Sequence, residues 1–419
     1  MKRYNAYKPS GIEWIGDIPE KWDIKPFKYC MTINNGADYK NIEDSDGYPV
    51  FGSGGSFAFA KKYMYDGEVV FLGRKGTVDK PLYYNGKFWA IDTMFYAIPQ
   101  KNVSCKYMYY QALTFPFDYY LTDTARPSMT QTDLGDNKIA VPPKDEQVAI
   151  ASYLDAKCAK IDNVLSVQQK RIELLKELKQ SIITNAVTKG LDKNVELKPS
   201  GIEWIGDIPE KWKLMKLKYI CKDEKYSIKT GPFGSQLKGE DLREEGDVRV
   251  YNQRNVIDDC FDDVQFYVTS AKAKDLQSFF TKENDLLVTS RGTIGKCSLL
   301  PKTAPMGVLH PCLIALRINE KKCSLQWAKF FINESDCFKT NVFLNSNATT
   351  IEVIYTDTLK SIFIPLPPLK EQLSIISYLE HRCSAIDSQI SKIEHQIELL
   401  KEYKQSIITE CVTGKRKVC

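Results

Sequence analysis

Residues 8–22, KPSGIEWIGDIPEKW, return without a change as residues 198–212, and this repetition decides how the chain is read. A second repeat sits at another offset: residues 142–147, PPKDEQ, come back as PPLKEQ at 367–372. The first pair is shifted by 190 residues (198 minus 8) and the second by 225 (367 minus 142), so the material between them has grown by 35. One unit has been duplicated, with its ends alike and its middle diverged. Such a pattern is expected where a common frame holds common partners and the filling reads different targets. An old duplication without division of labour would leave the same trace.

Behind each Pro-Pro a helical period runs for about 45 residues. Leu154, Cys158, Ile161, Leu165, Gln168, Ile172, Leu175, Lys179 and Ile182 alternate in steps of four and three, the seam of a coiled coil. Adding 225 gives Leu379, Cys383, Ile386, Ile390, Ile393, Ile397, Leu400, Lys404 and Ile407. At ~1.5 Å per residue these rods run to roughly 60 Å, too long for one small domain to cover. They are expected to pair with each other, and antiparallel pairing relates the duplicated halves by a pseudo-twofold axis. Lys179 and Lys404 either set the register as polar seam residues or snorkel out at the edge. Asp145, Glu146 and Glu371 suit the positive end of a helix dipole, and Gly190 is a glycine stop for the first rod.

The expected organisation is therefore a globular domain at 1–143, a long helix at 144–189, a second globular domain at 190–366 and a long C-terminal helix at 367–419. The fold class is α+β, with two globular domains joined by two long antiparallel helices. A chain of 419 residues with 43% hydrophobic and 26% charged residues is ordinary globular protein. It has no ~18-residue apolar run that could span a bilayer, and Met1-Lys2-Arg3-Tyr4 leads into polar sequence, so a cytoplasmic location is expected. Twelve cysteines are scattered without a Cys-x-x-Cys pair, several on apolar helical positions, which suits reduced core thiols. The net charge of +5 is spread evenly, with Lys plus Arg against Asp plus Glu at 17 to 16, 8 to 6, 25 to 24 and 8 to 7 along the four segments. Bulk charge therefore does not mark a nucleic-acid binder, and any phosphate-binding face must come from local arrangement.

Within the two domains, apolar strands run into glycine turns: Val69-Val70-Phe71-Leu72 into Gly73-Arg74-Lys75-Gly76-Thr77-Val78, and Asp285-Leu286-Leu287-Val288 into Ser290-Arg291-Gly292-Thr293-Ile294-Gly295-Lys296. A cation, a glycine and a hydroxyl on one tight loop let backbone amides approach phosphate while Arg or Lys supplies charge or reads guanine. On that reading Arg74, Lys75, Thr77, Arg291, Thr293 and Lys296 are DNA-binding candidates; alternatively the Gly-Thr pair closes a turn. In Tyr251-Asn252-Gln253-Arg254-Asn255, Asn252 and Gln253 could pair with adenine and Arg254 with guanine. The counterpart of that run is Tyr48-Pro49-Val50-Phe51-Gly52-Ser53-Gly54-Gly55. Arg126 and Gln131, and Asn345 and Asn347, lie on polar stretches before each Pro-Pro and complete the candidates.

Together these residues resemble the specificity subunits of type I restriction-modification systems. The likeness rests on the Gly-Ile-Glu-Trp-Ile-Gly-x-Ile-Pro-x-x-Trp run at Trp14 and Trp204, the Tyr-Pro-Val-Phe-Gly-Ser-Gly-Gly run at Tyr48, the Arg-Gly-Thr-Ile-Gly loop at Arg291, and the Pro-Pro-x-x-Glu-Gln helix starts at Pro142 and Pro367. It spans nearly the whole chain. It implies two target-recognition domains on two conserved antiparallel helices, each domain reading one half of a bipartite asymmetric site in double-stranded DNA. It also implies two methyltransferase (modification) subunits as partners, which carry S-adenosylmethionine, and restriction subunits that use ATP. No cofactor is then expected on this chain. The first domain departs from the family at Gly73-Arg74-Lys75-Gly76-Thr77-Val78-Asp79, where Arg-Gly-Thr-Ile-Gly is usual.

Enzymatic readings fail on missing motifs. An adenine methyltransferase needs an Asn/Asp-Pro-Pro-Tyr/Phe loop, and neither Val141-Pro142-Pro143-Lys144 nor Leu366-Pro367-Pro368-Leu369 supplies one. No Gly-x4-Gly-Lys-Ser/Thr cradle surrounds Gly295-Lys296, which is followed by Cys297. His381 and His395 fall on the second rod as face residues, and His310 beside Pro311 and Cys312 reads as structural. The acidic runs Glu240-Asp241 and Asp258-Asp259 have no accompanying motif, so no catalytic or metal-binding set is expected. The remaining rival is a coiled-coil protein-interaction scaffold that binds no DNA.

Overall fold

Val141 and Leu366 each end a short strand, Lys138–Val141 and Phe363–Leu366, and the Pro-Pro that follows releases a long helix: the first rod, Lys144–Lys189, and the second, Leu369–Val412. Proline lacks the N–H a strand ladder needs but is tolerated at a helix start. The computed structural model describes residues 3–117, 128–345 and 353–418. The chain divides into two compact units, Met1–Lys170 with Ile393–Cys419, and Arg171–Lys392. Each rod thus contributes to both, and the first unit is closed by the two ends of the chain.

In the first unit Leu154, Cys158 and Ile161 share a core with Ile407, Ile408, Cys411 and Val412, and Leu165 and Leu400 pack on it. The start of the first rod therefore meets the end of the second. In the second unit Ile183, Ala186 and Val187 share a core with Ile375, Ile376, Leu379 and Cys383, so the end of the first rod meets the start of the second. The pairing is antiparallel in both. Ile172, Ile386, Ile390, Ile393 and Ile397 are buried, and Leu175 is half-buried. The seam period does not run to the end of the first rod. Ile183 is fully buried while Ile182 is only partly so, because the last turns widen their apolar face to meet the strands and helices of the domain.

Neither reading of the seam lysines holds alone. Lys179 Nζ lies 2.8 Å from both carboxylate oxygens of Asp387, and Lys404 Nζ lies 2.6 and 2.7 Å from those of Asp162. The two pairs are the same pair, related by the offset of 225. The lysine stems are partly buried, with side chains 25% and 29% exposed, while the heads reach aspartates that stay more than half exposed. Each pair links the two rods at the margin of the seam. Because the partners are solvated, a Lys179→Met and Asp387→Asn double-mutant cycle is expected to give a coupling of only about 0.2–1 kcal/mol in denaturant unfolding, fading at high salt. A coupling above ~2 kcal/mol would show the pair to be desolvated.

The identical fifteen-residue runs have a physical reason. Trp22 and Trp212 are fully buried, and their indole N–H groups donate to Glu146 Oε2 and Glu371 Oε1, both at 3.1 Å. The neighbouring Gln147 and Gln372 accept from the backbone N–H of Ser104 (3.0 Å) and Ser324 (2.8 Å) and donate to the Pro142 and Pro367 carbonyls (both 2.9 Å). Ser104 and Ser324 in turn cap the domain helices Cys105–Ala112 and Leu325–Glu334. Glycines in the left-handed region, Gly190 (φ +76°) and Gly414 (φ +74°), follow the rod ends. A Cβ on Gly190 would stand 3.2 Å from the Trp212 ring and one on Gly414 3.3 Å from the Trp22 ring. Each tryptophan therefore joins the start of one rod to the end of the other.

The divergent middles carry the same strand order. In the first unit seven strands run Met31–Asn35, Met94–Pro99, Tyr65–Gly73, Leu82–Ala90, Tyr48–Gly52, Gly55–Ala60 and Glu43–Asp44, with one parallel pair where Tyr48–Gly52 meets Leu82–Ala90. In the second, four strands run Ile228–Thr230, Leu313–Leu316, Leu286–Thr289 and Cys297–Leu299, and three more run Phe266–Val268, Val248–Tyr251 and Gly307–Leu309. Val248–Tyr251 and Gly307–Leu309 are the parallel pair. The orders coincide once the single strand Leu82–Ala90 is equated with Cys297–Leu299 plus Gly307–Leu309 and the edge strand Glu43–Asp44 with the isolated bridge from Arg243 to Tyr267. Residues 300–306 break that strand and contain Pro301 and Pro305, which cannot donate to a ladder. One sheet has become two.

Candidate nucleic-acid interface

At one end of these strands four loops meet in each unit, held by matching backbone hydrogen bonds. Gly36 N–H donates to Met94 O (3.0 Å) as Gly231 does to Leu313 O (2.9 Å), and Ile91 N–H to Phe51 O (3.1 Å) as His310 does to Tyr251 O (2.9 Å). Arg74 N–H donates to Thr93 O (2.9 Å) as Ser290 does to Cys312 O (2.8 Å). The carbonyls of Arg74 and Ser290 accept from Met129 N–H (3.0 Å) and Ile354 N–H (2.9 Å). Lys75 then bridges to Ser128, and Arg291 to Val353.

This frame fixes the correspondence between the divergent loops. Arg74 occupies the place of Ser290, Lys75 that of Arg291, and Gly76 (φ +84°) that of Gly292 (φ +68°). The departure of the first domain from the family loop is thus a lysine at the arginine position. Phe51, not Tyr48, corresponds to Tyr251, which makes Ser53 the counterpart of Gln253. A Cβ on Gly76 would lie 3.8 Å from Ser53 Oγ, and one on Gly292 would lie 3.5 Å from Gln253 Nε2. Sequence reading passed over Ser53 because only the parallel strand register aligns it.

The candidates divide by what their side chains already do. Lys75, Arg291, Thr293 and Lys296 are exposed on the glycine loops, and Thr77 is half-buried there. The Thr293 carbonyl accepts from the Thr289 hydroxyl at 2.6 Å, which pins the loop from beneath. Arg254 is exposed and reaches Asp258 at 3.3 Å, an i,i+4 contact that a phosphate could displace.

Three of the candidates already make contacts within the protein. Arg74 reaches the neighbouring 91–93 turn, donating to the Asp92 carbonyl at 3.3 Å with its guanidinium 5.8 Å from the Phe95 ring centroid. Asn252 is buried as the cap of the short helix Gln253–Ile257. Its oxygen accepts from the Arg254 and Asn255 N–H groups and one of its amide N–H groups donates to Gln265, so the buried side chain is largely taken up by the fold. Gln131 donates to the Ile33 carbonyl at 2.9 Å. Asn345 closes the helix Asp336–Asn345, with its side chain outside the described set. Arg126 and Asn347 lie outside the described residues.

His310 lies on the floor of the second cluster, stacked on Phe266 with centroids 6.5 Å apart. Burial, reinforced by the nearby Arg291 cation, holds its pKa below the usual histidine range, so it is neutral at neutral pH. No group of three or more His, Cys, Asp or Glu side chains among the described residues could hold a metal. Burial pushes the thiols of Cys105, Cys221, Cys297, Cys323 and Cys411 up to about 12, so they stay protonated. Among the described residues no helix is long and apolar enough to cross a membrane.

Fold and loops together define a duplicated recognition protein: one rigid frame used twice, with unlike side chains displayed at the same points. The chain belongs to the family described as the type I restriction modification DNA specificity domain, which matches residues 19–182 and 209–399 and so occurs twice. It is similar to the EcoDI type I restriction enzyme specificity subunit of Escherichia coli, 22% identical over 96% of this chain and 90% of that one. It also resembles the MjaVIII specificity subunit of Methanocaldococcus jannaschii, 27% identical over 67% of this chain and 62% of the relative. In fold it resembles the HsdS subunit of Thermoanaerobacter tengcongensis, with TM-score 0.52 and 15% identity, over 95% of this chain and 98% of that one. A chain from work on complex assembly and conformational transition of the type I R-M system superposes with TM-score 0.70 and 15% identity, over 94% of this chain and 98% of the other. The chain is accordingly a specificity subunit and not a catalytic one.

Proposed function

We propose that each loop cluster binds one half of a bipartite asymmetric site in double-stranded DNA, and that the two rods fix the spacer and dock two methyltransferase subunits. Restriction subunits join the same assembly. S-adenosylmethionine and ATP belong to those partners, and this chain supplies sequence discrimination alone. The observation that carries this reading is the pairing of Lys75 with Arg291 and of Ser53 with Gln253 on one conserved backbone frame. A scaffold that bound only common protein partners would have no need to vary the side chains and keep the frame.

The test is DNA binding by the chain assembled with its modification subunits across a salt series. Binding that weakens steeply with salt is the expected result, because phosphate contacts release counterions. Arg291→Ala is expected to weaken specific binding by about 10- to 100-fold, the ~1–3 kcal/mol carried by one good base contact, while assembly with the modification subunits is retained. Unaltered affinity would remove this loop from the interface. Exchange of residues 23–141 for the same segment of a relative is expected to change one half of the methylated motif only.

A further inference from the structure

We infer that Gln253 in one unit and Ser53 in the other each set the base preference at one position of their half-site, beside Arg291 and Lys75 respectively; this rests on the DNA-reading function proposed above. Other amide side chains around the second loop cluster are committed. Asn255 donates to the carbonyls of Cys260 (3.0 Å) and Asp263 (2.7 Å), Gln236 accepts from Phe233 N–H (3.1 Å), and Gln265 accepts from Asn252. Gln253 differs. Its side chain is half-buried and has no hydrogen-bond partner among the described residues, although a glutamine carries two donors and an acceptor. In the first unit the half-buried Ser53 hydroxyl, at the equivalent backbone position, also has no partner among the described residues.

A half-buried polar group that the fold does not use stays available to a ligand, and its recurrence at the same point of two otherwise divergent domains indicates a group kept for one. The geometry names the ligand's chemistry. Gln253 lies against Gly292, the residue after Arg291, so amide and guanidinium leave neighbouring points of the surface. They can therefore address adjacent bases, which are stacked about 3.4 Å apart on a strand. A glutamine amide matches the N6/N7 edge of adenine and an arginine the O6/N7 edge of guanine. The turn at Gly292, with φ +68°, holds the loop beside the amide, and a Cβ there would lie in ordinary contact with it at 3.5 Å. The Ser53 hydroxyl, as a single donor and acceptor, satisfies several bases, so the equivalent position of the other half-site is expected to be read more loosely.

The test uses the whole chain assembled with its modification subunits, and a library of duplexes randomised through both half-sites and read by methylation. Gln253→Ser is expected to relax discrimination at one base pair of one half-site by about tenfold or more, leaving the other half-site as it was. Ser53→Gln is expected to sharpen one base pair in the opposite half-site. Gln253→Glu keeps the shape and exchanges donors for acceptors, so it should alter preference at the same base pair if the serine variant assembles poorly. Thermal unfolding should be unchanged, because no protein hydrogen bond of the side chain is lost. A wild-type bipartite motif that neither Gln253 variant alters overturns this assignment alone. A wild-type assembly without a bipartite motif overturns the DNA-reading function and this assignment with it.

Discussion

Replacing Trp212 with alanine is expected to destabilise the Arg171–Lys392 unit by about 3–5 kcal/mol in urea unfolding, the usual loss for truncating a buried tryptophan. The ring is 1% exposed and stands edge-on to Trp327, with centroids 6.1 Å apart and planes at 87°. It covers Gly190 at the end of the first rod and donates to Glu371 at the start of the second. Truncation removes all three contacts at once. Trp212→Phe keeps most of the apolar bulk and loses mainly the N–H bond, so its cost should be near ~1.5 kcal/mol, the low end for a bond to a charged group that remains partly solvated. Trp22→Ala should do the same in the other unit through Glu146 and Gly414. A loss below ~1 kcal/mol for either alanine variant would mean that the rod ends hold together without the tryptophan.

Asp285→Ala should cost about 3 kcal/mol, the low end for breaking a buried pair, because it removes the buried partner of Arg317 and leaves only the more exposed Glu224, 3.8 Å away. Arg317 is 6% exposed, and its Nε lies 3.1 Å from Asp285 Oδ1. The guanidinium also donates to the carbonyls of Tyr226 (3.1 Å) and Phe280 (3.3 Å). Burial outweighs Arg317 and the Lys282 N–H, so the Asp285 carboxyl sits above the ordinary range. Its folded pKa exceeds the unfolded one, so the stability linked to its protonation is complete below the ordinary carboxylate pKa and lost as pH rises through the raised value. At neutral pH the ionised carboxylate is therefore itself a cost. The double variant Asp285→Leu with Arg317→Met should accordingly recover much of what Asp285→Ala loses, as apolar replacements of buried pairs often do. Asp285 precedes the strand Leu286–Thr289, which carries the 290–296 loop, so the single variant should weaken DNA binding as well as folding. Equal stability of the single and double variants would show that Arg317 finds water.

The repeats made the frame legible before any coordinates. Identical residues at 8–22 and 198–212 and the Pro-Pro-x-x-Glu-Gln starts mark where each copy begins and where its rod starts, and the four-three spacing marks the apolar seam. The aspartates that meet Lys179 and Lys404 were not legible, since Asp162 and Asp387 sit off the seam and look like solvated residues until the facing helix is set beside them. The DNA-facing candidates were legible only as residue types. Asn252 and Gln253 are adjacent amides in sequence, yet one is a buried helix cap and the other has no side-chain hydrogen-bond partner among the described residues. Capping depends on the backbone angle of a single residue, which composition does not reveal.

By itself the sequence determined the duplication and the two long rods with apolar seams, because these rest on exact repetition and on a period imposed by the helix; their antiparallel pairing and the class of protein came from the family resemblance. Only the tertiary structure decided that Lys75 stands for Arg291, that Ser53 stands for Gln253, and that Arg74 reaches the Asp92 carbonyl. Those equivalences depend on strand register and on loops brought together from four separate segments. Hydrogen bonds between such distant backbone groups hold the candidate interface in place, and they leave no local pattern in the chain.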